Sequence, residues 1–218
     1  KANAAPVDRM NELIPIFPLE VVVYPGEQLN QHIFEPRYQQ LINDCARHKM
    51  PFGIPSVVDR KIDGFGTTVE LIKVMNVEAD GQMDIQTRGL RIFHTTELLK
   101  LYPGKLYSAA RVEYPPDQPA GDENIMRQIL AGVRKLHRLL KVKSKFSKPD
   151  EALHSHDVAH HVGLTLEQEY ALLKILDERQ RQEFLQRHLE QTLRVVESME
   201  SLKEKIMLNG HFKTPRGF

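Results

Sequence analysis

The chain has no tryptophan, and aromatic residues make up only 7% of its 218 positions. Cys45 is the single cysteine, so no disulfide can form within the chain, and a reducing cytoplasm fits that usage best. Long hydrophobic runs are missing as well. Nothing approaches the roughly 18 consecutive apolar residues of a membrane span, and no basic-then-apolar secretion signal opens the sequence. The motif absences exclude more. Gly104-Lys105 has neither the upstream glycine nor the following hydroxyl residue of a phosphate loop, and no GxSxG, HExxH, CxxC or GxGxxG occurs. ATP hydrolysis and nucleophilic peptide cleavage therefore have no visible machinery. The expectation is a protein that is not an enzyme and needs no cofactor.

What is present is ordinary in amount and uneven in distribution. Hydrophobic residues are 41% and charged residues 27%, enough for one large domain or two smaller ones. The formal net charge of +1 hides a segregation: Arg127 to Lys148 carries eight Lys/Arg and no Asp/Glu, leaving −7 for the remainder.

Residues 1–12 hold little apolar content and read as a flexible N-terminus. A β-rich run follows from Leu13 to Val23, interrupted by Pro15 and Pro18, which implies edge or bulged strands. Pro25-Gly26 reads as a turn, and Leu29 to Phe34 as a strand. Pro36 then opens an amphipathic helix, because proline costs nothing in a first turn. Tyr38, Leu41, Ile42 and Cys45 recur at i, i+3, i+4 and i+7, one apolar face that ends before Met50-Pro51. Cys45 on that stripe is expected to be a small buried hydrophobe.

Short strands are expected at Phe52–Ile54, Thr67–Val77, Met83–Thr87, Leu90–Phe93 and Leu106–Tyr114, with a polar loop over 61–66. In the second of these, Val69 and Leu71 alternate before the phase shifts to Ile72 and Val74. Asp80-Gly81 is a hairpin signal of type I′. After the linker 116–121 everything reads as helix. One runs through Ile125 to Leu140, a short one spans 151–162, and a third is boxed by Thr165 and Gln168. A fourth starts at Asp177 and Gln180 and runs to about Leu208, about 45 Å at the helical rise. Its far end must project or pack on another element or subunit. The domains expected are thus 13–115 (β-rich), 122–208 (helical bundle with the long helix) and a tail over 209–218.

Three residue groups bear on chemistry. Among His154, His156, His160 and His161, His156 and His160 stand at i, i+4 and Asp157 and His161 repeat that spacing, but no cysteine or fixed third ligand joins them, so no metal is expected. In the basic segment, Arg134, Lys135, Arg138, Lys141, Lys143 and Lys145 are the candidate nucleic-acid contacts, although only Phe146 supplies a nearby stacking ring. The first helix start, with Glu35 where the helix dipole favours negative charge, reads as a capped helix locked onto the sheet or, with Tyr24, Phe34, Arg37 and Tyr38, as an exposed polar-aromatic groove. Arg88 completes the candidate binding set.

The spacing of three blocks carries a family resemblance: Ile16-Phe17-Pro18-Leu19, Val23-Tyr24-Pro25-Gly26, and His32-Ile33-Phe34-Glu35-Pro36-Arg37-Tyr38. With Phe52-Gly53-Ile54, Gly66-Thr67, Arg88 to Phe93, Ala159 to Leu164 and Leu172 to Asp177, the chain resembles the Lon protease N-terminal substrate-binding domain over nearly all of 13–208. The resemblance implies an α+β fold, a PUA-like β pseudo-barrel with one inserted helix, followed by a helical bundle ending in a long helix. It implies a stand-alone, bacterial-type form without the ATPase and peptidase domains. Its expected partners are unfolded or tagged polypeptides or a protease or chaperone, for which it serves as adaptor or regulator of proteolysis. RNA binding through the basic segment is the alternative, no membrane contact is expected, and the long helix is a candidate for oligomerisation.

Overall fold

Pro36 stands at the first helical position of α1 (Pro36–His48), and Lys49, at φ 51°, ends that helix in the left-handed region. The computed structural model describes residues 11–62, 64–143 and 145–211, with side chains to 208. Apart from residues 11–12 and the backbone of 209–211, the expected N-terminal and C-terminal tails lie outside the described residues. The chain divides into two compact units. The first runs to Gln118 and also takes in Leu164–Leu176; the second is Pro119–Gly163 with the chain from Asp177 onward.

Six antiparallel strands build the first unit: β1 (Glu12–Pro15), β2 (Gln28–Ile33), β3 (Phe52–Pro55), β4 (Phe65–Met75), β5 (Met83–Leu99) and β6 (Ala109–Glu113). Their order is β1-β6-β5-β4-β3, with β2 beside β5. Past β1 the Ile16 N–H donates to Ser108 O (3.0 Å), and the Phe17 N–H donates to Gly53 O of β3 (2.8 Å). One stretch of backbone thus reaches from β6 to the opposite end of the strand order, and the sheet closes toward a barrel. Pro15 ends β1, and the rest of the apolar run is irregular, with Val22 and Val23 buried all the same.

The two strands expected on either side of Gly89 are one strand, β5. A Cβ on Gly89 would lie 2.2 Å from Tyr24 O, so the glycine serves a close backbone approach, with Gly26 N–H donating to Gly89 O (2.9 Å). The phase shift in β4 is a register irregularity between Leu71 and Lys73. The hairpin at Asp80-Gly81 exists, but its turn is not type I′. Gly81 has φ 86° while Asp80 is not among the positive-φ residues, and the Gly81 N–H donates to Glu78 O (3.0 Å). Asp80 Oδ1 instead accepts from the Gln82 N–H (3.1 Å), an Asx turn that holds Asp80 in ordinary backbone.

The apolar face of α1 is the one read from its spacing. Tyr38, Leu41, Ile42 and Cys45 are buried with Phe17, Ile33, Phe52, Val69, Ile85 and Tyr107. Polar contacts fix the same helix from its other side: Gln40 Oε1 accepts from the Leu106 N–H (2.8 Å), and Asp44 accepts from the Tyr107 hydroxyl (2.9 Å) and meets Lys105 Nζ (2.7 Å). Those partners hold the Asp44 carboxyl below its usual range, Lys105 foremost. The helix boxed by Thr165 and Gln168, α4 (Leu166–Leu173), forms as expected but groups with the sheet. Tyr24 donates its hydroxyl to Glu169 O (3.0 Å), and the Phe65 N–H donates to the Tyr170 hydroxyl (2.9 Å).

In the second unit, Asp122 caps α2 (Glu123–Leu139), whose buried face is Met126, Ile129, Leu130, Val133 and Leu136. It packs on α5 (Glu178–His211), where Leu185 and Leu189 are buried. The helix expected over 151–162 is broken into 3-10 turns at Asp150–Ala152 and Ala159–His161 around α3 (Ser155–Val158). His154 is extended there, and the Ser155 N–H is taken by Glu178 Oε1 (2.8 Å), so the helix cannot run through. Glu178 also accepts from Ser155 Oγ (2.6 Å), Arg181 Nε (3.0 Å) and Gln182 Nε2 (3.3 Å), all in the interior. Beyond Leu189 the apolar positions Val195, Met199, Leu202 and Ile206 are exposed at helical spacing.

Candidate functional site

β2 delivers the chain to α1 with alternating faces. Ile33 points into the core, while Gln28, Asn30 and His32 are on the outer face and lead to Phe34, which is 62% exposed. Across the ladder stand Arg88, Gln86 and Asp84 of β5, opposite Gln28, Asn30 and His32 respectively. The facing pairs are joined: His32 Nδ1 meets Asp84 Oδ1 (2.8 Å), and Gln86 Nε2 donates to Asn30 Oδ1 (3.2 Å). His32 Nε2 also meets Gln82 Oε1 (3.0 Å), and the ring stacks toward Phe34 at 6.3 Å. The hydrogen bond to Asp84 leads the causes that raise the His32 pKa; Asn76, then His32, lower that of Asp84.

The six candidate binding residues fall into three groups. Phe34, Glu35 and Arg37 share the β2–α1 junction, with Arg37 Nη2 on Glu35 Oε2 (2.7 Å) and its guanidinium 4.6 Å from the Tyr38 ring centre. Tyr24 and Tyr38 are buried and do not line an open groove: Tyr38 packs against Phe17 beneath the junction, whereas Tyr24 adjoins Gly89 at the far end of β2 and donates its hydroxyl to Glu169 O. Burial pushes the pKa of both upward. Arg88 lies at the opposite end of the β2–β5 ladder, about 17 Å from the junction at the strand rise, and pairs with Glu70 (2.8 Å). Sequence reading missed His32, Gln82 and Asp84. The i, i+2 alternation from Gln28 to Phe34 was a signal for the first of these, but nothing local brings residues 82–84 beside it.

In the second unit, Arg134 grips Asp150 with both carboxylate oxygens at 2.6 Å, Lys135 pairs with Glu197, and Lys148 with Asp157 (2.7 Å). Arg138, Lys141, Lys143 and Lys145 are exposed, and none forms an ion pair among the described residues. The histidines differ in exposure. His156 is mostly buried, with its pKa pushed down to about 3 by burial first and Arg181 next, while His154 and His160 are exposed. His161 packs edge-on against Phe146 at 4.8 Å. Cys45 has its thiol pushed up to about 12 by burial, which suits a core residue and not a nucleophile.

Fold and surface together define a mixed α+β domain that presents a polar sheet face beside an exposed aromatic and continues into a long C-terminal helix. The family model of the ATP-dependent protease La (Lon) substrate-binding domain matches residues 13–191, and the chain belongs to that family. The family's substrate-binding domain is non-catalytic. A Lon N-terminal domain protein from Xanthomonas campestris superposes with TM-score 0.62 at 24% identity, covering 80% of this chain and 96% of the other. The N-terminal domain of the Lon protease of the Mycobacterium avium complex gives TM-score 0.62 at 15% identity, with 82% and 98% covered. At these identities the likeness carries the fold. No match was found among curated proteins. Among the described residues no helix is long and apolar enough to cross a membrane.

Proposed function

We propose that the chain binds unfolded or degradation-tagged polypeptide through the β2–α1 junction, as an adaptor or regulator of proteolysis in the cytoplasm. The observation that carries this reading is Phe34, 62% exposed in a family whose domain is substrate-binding. A large aromatic beside polar partners is the composition of an interface anchor. Glu35 and Arg37 flank it as an exposed ion pair, and such a pair contributes little to folding and is available to a ligand. The test is binding of a chemically unfolded model protein and of peptide arrays. Phe34→Ala is expected to weaken affinity about fivefold or more, a cost of about 1 kcal/mol, and Arg37→Ala less. Absence of saturable binding, or binding unmoved by both substitutions, refutes the reading.

RNA is the second reading, supported by the exposed Arg138, Lys141, Lys143 and Lys145, which form no ion pair among the described residues. It predicts affinity that falls steeply with salt, whereas polypeptide held by Phe34 does not. The exposed stripe Val195, Met199, Leu202 and Ile206 is the part of α5 suited to association with a further chain.

A further inference from the structure

We propose that the polypeptide is held as an added β-strand on the outer edge of β2, with Phe34 at one end of the added strand. The inference rests on the polypeptide-binding reading above and specifies how the chain is gripped.

The ladder geometry decides which backbone groups are free. The Gly89 N–H donates to Glu27 O (2.8 Å), and the register continues without a shift from Gln28 opposite Arg88 to Ile33 opposite Met83. In an antiparallel ladder, hydrogen-bonded and non-bonded pairs alternate. Glu27 is bonded across to Gly89, so Leu29, Gln31 and Ile33 also turn their N–H and C=O toward β5. Gln28, Asn30 and His32 then turn theirs away. The side-chain pairs agree, because His32–Asp84 and Asn30–Gln86 meet closely, as expected of non-bonded pairs. Among the described residues β2 pairs with one strand, β5.

Three N–H and three C=O groups therefore stand along one edge at every second residue, about 7 Å apart. That spacing matches an extended chain of any sequence. Natural proteins guard such edges with proline, charge or a covering element. Here the edge residues are glutamine, asparagine and histidine, all exposed, with no proline within the strand. Main-chain pairing would supply sequence-independent affinity, and Phe34 would favour an apolar or aromatic side chain beside it. Unfolded, β-prone, apolar-containing segments are the ligand class that this edge selects.

The test uses the whole chain and a reduced, carboxymethylated protein as the unfolded probe, together with a tight-binding peptide selected from an array of its sequence. Asn30→Pro removes an outward N–H without touching the bonds to β5, and proline is tolerated at such edge positions. Asn30→Ala measures what the side chain alone contributes. Asn30→Pro is expected to lose at least tenfold in affinity beyond Asn30→Ala. N-methylation along the peptide should weaken binding at alternate residues only. Equal binding by the two Asn30 variants with circular dichroism unchanged, or an N-methyl profile without a period of two, overturns strand addition. If Asn30→Pro does not fold, the N-methyl profile decides alone. Loss with Phe34→Ala but not with Asn30→Pro or N-methylation leaves the polypeptide reading standing and removes the strand. No saturable binding of any probe removes both.

Discussion

His32 shows how one exposed side chain connects the sheet face to its solvent. Asp84 and Gln82 hold both ring nitrogens, and the carboxylate raises the ring's pKa. A raised folded value means that the stabilisation is complete below the ordinary histidine pKa and is lost as pH rises through the folded one. An NMR titration should therefore find His32 above the usual histidine range, and Asp84→Asn should return it toward that range. Because the pair is exposed, added salt should shrink the difference. His156 behaves oppositely. Its lowered pKa, about 3, makes its neutral form a contribution that is complete above the ordinary histidine pKa and lost as pH falls.

Among the elements, the start of α5 depends most on a single side chain. Glu178, buried, gathers the Ser155 N–H and Oγ, Arg181 and Gln182 in one cluster. Glu178→Ala takes the carboxylate from beside the buried Arg181, at an expected cost of about 3–5 kcal/mol in urea unfolding. Ser155→Ala should cost nearer 1 kcal/mol. The same cluster explains a limit of sequence reading. The periodicity of α1, the capping box of α4 and the bulge in β4 are encoded by neighbours in sequence, and all three were legible. The break in the 151–162 helix is held by Glu178, 23 residues from Ser155, together with Asp157, which accepts the His154 N–H (2.9 Å); only the second contact is local in sequence. Likewise Asp59 and Arg60, at φ 51° and 63°, make a tight turn between Val58 and Lys61 without the glycine or asparagine that would announce it. At the candidate site, the exposed junction was legible from Phe34 to Arg37. The burial of Tyr38 was legible too, from its place on the apolar stripe with Leu41, Ile42 and Cys45; that of Tyr24 was not, because its hydroxyl partner, Glu169 O, lies 145 residues away.

On the scale of the whole molecule, the sheet unit is discontinuous in sequence. Its α4 returns after the chain has already entered the second unit, and Tyr24 and Phe65 bond to Glu169 and Tyr170. A chain cut after Gln118 loses both hydrogen bonds, each contributing about 0.5–1.5 kcal/mol. Its thermal midpoint should fall below that of a chain ending after Leu176. No fall would mean that α4 is dispensable to the sheet. The discontinuity also bears on synthesis. A ribosome delivers about 5–20 residues per second, so the roughly 46 residues between Gln118 and Leu164 delay α4 by about 2–9 s. For that interval the nascent sheet waits with the Tyr24 hydroxyl and the Phe65 amide lacking their eventual partners. During that interval these two groups on the sheet are open to water or to a chaperone.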